Sequence, residues 1–272
     1  MLTFKNIFYY FSAAFFAIGI GAFAPMHAGE TTKSETLTIG LQSGYPPFEY
    51  LNEKGKVVGF DVDLAEVIAQ KLGKKLVIKD LDFDSEILSL KQGKIDLILS
   101  GMNITPSRQK EIAMVPYHGE AVQSMSLVFW GKIPSEVHAL EDIKKLPNGV
   151  IAVETGSIAE AYLQQISSLK TKSFEGALAP LMDVKLGKST ADLVEPDVAI
   201  YLKGKYPEVQ ILDVALPPDQ RVLGFGIGIN KQNKELQEKV EAIIADLKKS
   251  GELKTLEDQW FKKEAACSPA TP

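Results

Sequence analysis

Arg108 stands where a cation is out of place. Thr105 followed by Pro106 signals a helix start, with threonine as the N-cap and proline at the first helical position, where its missing N–H would be unpaired anyway. The helix then begins at Pro106 and puts Arg108 in its first turn, where the positive end of the helix dipole disfavours it by a few tenths of a kcal/mol. A guanidinium offers a planar fork of donors that matches a carboxylate, so an anionic partner would account for the placement. Ser100 and Gly101, which end the preceding apolar run, and the Asn103 amide lie close by in sequence. The competing reading is a surface arginine paired with Glu111.

Two further places put polar groups at the ends of apolar runs, where ligands of open α/β sheets collect. In "ETGSIAE", Ser157 and Glu160 have capping-box spacing, Gly156 lets backbone approach closely, and the N–H groups of the helix start could bind an anion. An ordinary cap without a ligand is the alternative. In "LVEPDVA", Glu195 precedes Pro196 and sets a carboxylate at a strand end, able to receive an ammonium group. Charge compensation of the helix start is its other possible role, and Asp197 fits that role better. A cation fork and a carboxylate facing each other across a cleft complement a zwitterion.

Other chemical signals fail. "GKST", Gly187 to Thr190, resembles the end of a phosphate-binding loop, but Met182 stands where that motif needs its first glycine. "GFGIG" has Ile229 where a dinucleotide motif needs its third glycine, and reads as a strand passing close to other backbone. His118 and His138 are isolated, without zinc-ligand spacing, and there is no Gly-x-Ser-x-Gly elbow. Neither a catalytic centre nor a cofactor or metal site is expected.

The elements that must position these residues are legible from periodicity. "LTIGL", "LVIKDLDF" and "IDLILSG" read as strands. "DVDLAEVIAQKLG", with Leu64, Val67, Ile68 and Leu72 at helical spacing, and "SEILSLKQGK", with Ile87, Leu88 and Leu90 apolar, read as helices. This β-α-β-α-β order implies a parallel sheet with crossover helices. "AVQSMSLVFW", Ala121 to Trp130, is a long extended segment. It is followed by a strand-then-helix unit from "VIAVETGSIAEAYL", a strand near Ser173, a helix over Ala177 to Leu186, and "ADLVEPDVAIYL" as strand then helix. "VQILDV" and "VLGFGIGIN" are extended again, and two helical patterns end the chain. Two α/β sets joined by two extended crossings suggest two lobes, with a cleft between them as the ligand site.

The first residues combine one early cation, Lys5, with an apolar run from about Ile7 to Ala24. Residues 1–28 therefore read as a secretory signal peptide cleaved before Gly29; an uncleaved anchor is the alternative, because the run is nearly long enough to span a bilayer. The only cysteine, Cys267, lies in a tail over 263–272 that reads as disordered, so no disulfide forms within one chain and none follows the signal segment to take a lipid. A periplasmic, unlipidated protein is expected. The formal net charge is −5, one unit more negative without Lys5, and no basic run occurs, which argues against nucleic-acid or anionic-membrane partners.

"GYPPFEY", "GKVVGFDVDLAEVIAQKLG", "LKQGKIDLILSGMNITPSRQKEI", "IAVETGS", "GKSTADLVEPDVA" and "LKKSGELKTLEDQWF" span nearly all of the chain after the leader. Together they resemble the periplasmic amino-acid-binding proteins of ABC importers, solute-binding family 3, most similar to arginine and other basic amino-acid binders. The resemblance implies an α/β fold of two lobes, the type II periplasmic-binding-protein fold, each lobe a mostly parallel sheet flanked by helices. The first lobe covers 36–122 plus 218–262 and the second 128–213, with hinge crossings at 123–127 and 214–217. The implied protein is a hinged monomer that closes on one free L-amino acid and delivers it to the membrane subunits of an importer.

The resemblance also assigns roles. Arg108 matches the arginine that pairs with the ligand α-carboxylate, helped by backbone N–H groups near Asn103 and Ser157. Glu195 matches the acid, usually aspartate, that takes the α-ammonium together with the Ser100 carbonyl, next to Gly101. Tyr45 and Phe83 match an aromatic pair that sandwiches the ligand side chain and would attract a cation by about 0.5–2 kcal/mol; core packing is their alternative. Gln42 lies in the loop before Tyr45. Glu154 stands just before Thr155-Gly156-Ser157, where some glutamine-binding relatives look to carry lysine, so an acid here favours a guanidinium or ammonium tip. Its alternative is a solvated strand end. Ile158 completes the implied ligand set, while Asp82 and Glu49 could add acidity from places the sequence leaves open. Arginine is the expected ligand, ahead of lysine, ornithine or histidine. The alternatives are a polar neutral amino acid such as glutamine, an enzyme like the cyclohexadienyl dehydratases with Glu154 or Glu195 as general acid, and the ligand domain of a larger receptor or lytic enzyme.

Overall fold

In chain order, short apolar and β-branched runs alternate with amphipathic helices, and the structure, a computed structural model, describes residues 35–262. The expected signal peptide at 1–28 and the tail at 263–272, with Cys267, lie outside the described residues. The first elements are β1 (Thr36–Leu41), β2 (Tyr50–Leu51), β3 (Val57–Val58), α1 (Phe60–Lys71), β4 (Lys75–Asp80), α2 (Glu86–Lys91), β5 (Leu97–Ile98), α3 (Pro106–Glu111) and β6 (Ala113–Val122). There follow β7 (Ser124–Trp130), β8 (Val150–Glu154), α4 (Ile158–Leu163), β9 (Lys170–Phe174), α5 (Leu178–Lys185), β10 (Ala191–Val194) and α6 (Pro196–Lys205). The last are β11 (Val209–Ala215), β12 (Val222–Ile229), α7 (Lys234–Ser250) and α8 (Glu252–Glu257).

Two five-stranded sheets result. The first has the order β4-β1-β5-β12-β6, with β1 parallel to β4 and β5, and β12 antiparallel to both β5 and β6. The second has the order β11-β7-β10-β8-β9, with β8 parallel to β9 and β10, and β7 antiparallel to β10 and β11. The chain passes between them twice, at Gln123 and after Ala215, and the Leu216 N–H donates to the Gln123 carbonyl at 2.8 Å, tying the two crossings together. Residues 124–127 and 214–215, expected within the crossings, already pair in the second sheet, beginning at Ser124 with Ala215.

Local chemistry sets the helix ends. Asn233 accepts from the Leu236 N–H to start α7, and Gly251, at φ 80°, stops it. Along α7, Leu236, Val240, Ile244 and Leu247 are buried at i, i+4 and i+3 spacing, which lays the C-terminal helix on lobe 1. Each such side chain contributes about 1.5–3 kcal/mol when fully buried. Two expectations are corrected. Only Leu97 and Ile98 of "IDLILSG" are strand, because the chain then turns into the loop carrying Ser100 to Thr105. Leu88 is 58% exposed, since α2 buries Glu86 and Leu90 instead. "GFGIG" does pass close to other backbone: a Cβ on Gly224 would sit 2.4 Å from the His118 carbonyl oxygen.

Candidate functional site

The loop after β5 and the short helix α3 place Arg108. Thr105 caps the helix by accepting from the Arg108 N–H at 3.2 Å, which fixes the backbone and turns the side chain inward. Arg108 is buried, and Lys91 is the partner that pairs with Glu111, so the surface ion-pair reading of Arg108 is overturned. Its Nη1 donates to the Asn103 carbonyl at 2.8 Å and its Nη2 to the Gly156 carbonyl at 3.0 Å. Its Cζ lies 5.1 Å from the centre of the Phe83 ring, so one face of Phe83 is taken by the arginine itself. Burial lowers the pKa of the guanidinium, and the charges of Glu195 and Glu86 oppose that shift.

Lobe 2 brings its residues to the same place. Gly156, at φ 75°, bends the chain between β8 and α4 so closely to lobe 1 that a Cβ on it would lie 3.1 Å from Cβ of Asp84. Ser157 caps α4 by accepting from the Glu160 N–H at 3.1 Å, but the Glu160 carboxylate returns to the Gly156 N–H and not to that of Ser157, one residue off a capping box. Thr155 spends its hydroxyl on the Phe174 carbonyl at 3.0 Å, and Ile158 packs on the core of lobe 2. Glu195, the N-cap residue of α6 ahead of Pro196, is buried and accepts from the Tyr45 hydroxyl of lobe 1. Tyr45 in turn lies against Gly101, where a Cβ would stand 2.8 Å from its ring.

The site is acidic beyond what these residues alone convey. Glu154 is buried, with one carboxylate oxygen lacking a hydrogen-bond partner among the described residues, so it is no solvated strand end. Burial first, then the charges of Glu195, Asp192 and Glu175, hold it well above the usual carboxylate range. Glu195 is raised as well, by burial, against the pull of the Tyr45 hydroxyl and Arg108. Asp192 on β10 is fully buried, with no side-chain hydrogen-bond partner among the described residues, and lies in register beside Ala152 on β8, two residues from Glu154 and thus on the same face.

Three more acids, Glu49, Asp61 and Glu86, are fully buried in lobe 1. Asp61 accepts from the Gly101 N–H and the Tyr117 hydroxyl, each at 2.8 Å, and its carboxyl is raised to about 6 by burial, against those two donors. Burial, then the charges of Asp61 and Glu86, hold Glu49 well above the usual carboxylate range. Burial likewise raises Glu86, against the pull of Ser100 and Arg108. Among the described residues no group of three or more histidine, cysteine, aspartate or glutamate side chains is arranged to hold a metal ion. The remaining expected residues fall around this centre. Ser100 accepts from the Gln42 N–H at 3.0 Å through its hydroxyl, and the Asn103 side-chain nitrogen is buried without a partner among the described residues. The cleft opens on one side into a cavity of about 530 Å³ lined by Gln42, Asp80, Asp82 and Glu175. On the side of the crossings a second cavity, of about 370 Å³, is lined by Gln123, Ser124, Glu195 and Phe225.

Several of these residues escaped a reading of the sequence. Asp61 looks like ordinary charge compensation in the first turn of α1, and Glu175 lies in a loop without a local signal. Glu86 left one trace: it stands four residues before Leu90, on the buried stripe of α2. His118 is not isolated, since its Nδ1 lies 2.9 Å from Glu257 and its Nε2 3.9 Å from Asp197 of lobe 2.

Two lobes of this topology, with an arginine and facing acids between them, define a type II periplasmic-binding-protein fold. The chain belongs to the bacterial extracellular solute-binding proteins, family 3, whose model it matches over residues 37–263. It is 42% identical over 232 residues to a protein of Chlamydia trachomatis named as the probable ABC transporter arginine-binding protein ArtJ, covering 85% of this chain and 88% of that one. A mutant of the arginine-binding protein of T. maritima superimposes with a TM-score of 0.77 at 31% identity, over 84% of this chain and 96% of the other. An ancestral arginine-binding protein solved with arginine bound gives 0.75 at 31% identity, over 84% and 98%.

Proposed function

We propose that the protein captures a basic L-amino acid, arginine ahead of lysine, and delivers it to the membrane subunits of an ABC importer. The observation that carries this reading is the charge balance of the cleft: one buried guanidinium, Arg108, against buried carboxylates from both lobes, with Glu154 unsatisfied at one oxygen. A buried charge must be paired or neutralised. The α-carboxylate of an amino acid answers Arg108 and its α-ammonium answers Glu195, which leaves the Glu154 side of the cleft for a second positive group. Arginine and lysine supply that group and glutamine does not. The names of relatives, arginine-binding proteins and in two cases ABC transporter arginine-binding proteins, support the same ligand class and a binding role in place of catalysis.

In this reading residues 1–28 direct export and are removed, the protein works as an unlipidated monomer in the periplasm, and the second lobe moves about the crossings at Gln123 and Leu216. The test is a thermal-shift screen of the exported protein against the common amino acids. A ligand at a hundred times its dissociation constant adds about 2.7 kcal/mol to stability. The largest shift is expected with arginine, a smaller one with lysine, and less still with glutamine. Glutamine leading the ranking, or no amino acid shifting the transition, would overturn the reading.

A further inference from the structure

Glu175 stands apart from the residues matched so far. It lies in the loop between β9 and α5 of lobe 2 and reaches across the cleft, where its Oε2 accepts from Nε2 of Gln42 in lobe 1 at 3.5 Å. The lobes touch at this point. The Ala177 N–H donates to the Gly44 carbonyl at 3.1 Å, and a Cβ on Gly44 would lie 3.6 Å from Cα of Gly176. Both sides of the contact line the 530 Å³ cavity, whose walls also carry Asp80 and Asp82.

An exposed acid on a rim is ordinarily a solvated one. Gln42 makes this acid different. Gln42 is 8% exposed, lines the same cavity, and keeps its Oε1 buried without a hydrogen-bond partner among the described residues. An amide oxygen left unsatisfied there requires a donor, and a carboxylate beside it favours a donor that is positively charged. Glu154, deeper in the cleft, feels the charge of Glu175, so the two lobe 2 acids act on one region. A guanidinium, with five donors in one plane, can serve an amide oxygen and a carboxylate together.

We propose that Glu175 is a specificity-determining residue. With Gln42 it grips the cationic tip of the ligand side chain at the mouth of the cleft, so that the final contact between the lobes forms best over a positively charged ligand. The assignment rests on the reading of the cleft as a basic amino-acid site and deepens it: the alpha end of the ligand is held at Arg108 and Glu195, and the side chain is read twice, by Glu154 inside and by Glu175 where the lobes meet. Because Glu175 travels with lobe 2, a neutral ligand of the same length fills the cleft without completing this contact.

The experiment compares arginine with citrulline, its neutral near-isostere, in wild type and Glu175→Gln, by calorimetry and stopped-flow binding. In Glu175→Gln the arginine affinity should fall about tenfold, the scale of one charge-assisted hydrogen bond. Citrulline affinity should change less than twofold, and the arginine loss should sit mainly in faster dissociation. Equal arginine affinity in the two proteins would overturn the assignment and leave the basic amino-acid reading standing. A loss confined to the association rate and erased by salt would also overturn it, since that is long-range steering by a rim charge. Wild type that binds no cationic amino acid would overturn both. A parallel loss of citrulline affinity would mark a damaged cleft and count against a charge-reading role.

Discussion

Arg108 of lobe 1 and Gly156 of lobe 2 are joined across the cleft by a 3.0 Å hydrogen bond from Nη2 to the carbonyl oxygen. With its other arm on the Asn103 carbonyl, the guanidinium faces two backbone dipoles and, among the described residues, no directly bonded carboxylate. A carboxylate is the stronger partner for that fork, by roughly a factor of two per hydrogen bond. The helix start that makes Arg108 locally unfavourable attracts the same anion, so the local penalty and the ligand preference have one cause.

Arg108→Ala should therefore leave the ligand carboxylate buried and unpaired, at a cost of roughly 3–5 kcal/mol, more than a hundredfold in affinity for every amino acid that binds. Arg108→Lys should recover only part of this, because an ammonium lacks the fork. Calorimetry with arginine checks both variants. Wild-type affinity in Arg108→Ala would remove the residue from the ligand clamp.

Glu154→Gln should separate ligands by charge. The carboxylate is buried beside Asp192 and Glu195, so replacing it with a neutral amide relieves repulsion between acids while removing a partner for a cation. Arginine affinity should fall by about tenfold or more, and glutamine affinity should hold or rise. Competition binding with the two amino acids gives the ratio directly. An equal change for both would show that Glu154 does not read the side chain.

What could be read from the sequence follows from how local each signal is. Thr105-Pro106 and Glu195-Pro196 set their own helix starts, and those starts aim Arg108 and Glu195 into the cleft. The two-lobe order was legible because strands and helices alternate with clear periods, while the single-residue crossing at Gln123 was not, since "AVQSMSLVFW" is apolar on both sides of it. Asp61 carries no mark of burial in its neighbours and Glu86 only its spacing from Leu90; their surroundings come from distant segments, Gly101 and Tyr117 in the case of Asp61. Glu175 meets Gln42 across 133 positions of sequence, a contact that only the assembled lobes create.

Gly224→Ala should test the tight passage of β12 past β6. The new methyl would lie 2.4 Å from the His118 carbonyl oxygen and 2.7 Å from the Gly119 carbonyl carbon, both backbone atoms that cannot swing aside. Overpacking of this kind costs about 1–3 kcal/mol or more. At roughly 2–4 °C per kcal/mol for a chain of this size, the melting temperature should drop by several degrees. An unchanged melting curve would mean that the two strands separate easily at this point, where the pairing of β12 with β6 shifts register on either side of Phe225.

His118 links three elements and should give the protein a pH-dependent stability. It stacks on Phe261 at 4.4 Å between ring centres, lies 2.9 Å from Glu257 of α8 and 3.9 Å from Asp197 of α6, and senses the charge of Asp61 on α1. Lys254 competes for Glu257 from 4.0 Å. Burial lowers the imidazole pKa, but the Asp197 and Glu257 carboxylates outweigh it and the net shift is upward. A histidine raised on folding adds stability that is fully present below its unfolded value, about 6.5, and is lost as pH climbs through the higher folded value. Wild type should thus lose stability relative to His118→Gln from about pH 6.5 upward, through the window set by the raised folded value, with the two curves parallel above it. The Asp197 arm, 41% exposed against 23% for Glu257, should weaken first as salt is added. Thermal denaturation of both proteins across pH, at low and high salt, measures the difference. Parallel curves throughout the window would show that His118 is neutral in the folded protein and that its contacts with both acids are hydrogen bonds without a net charge.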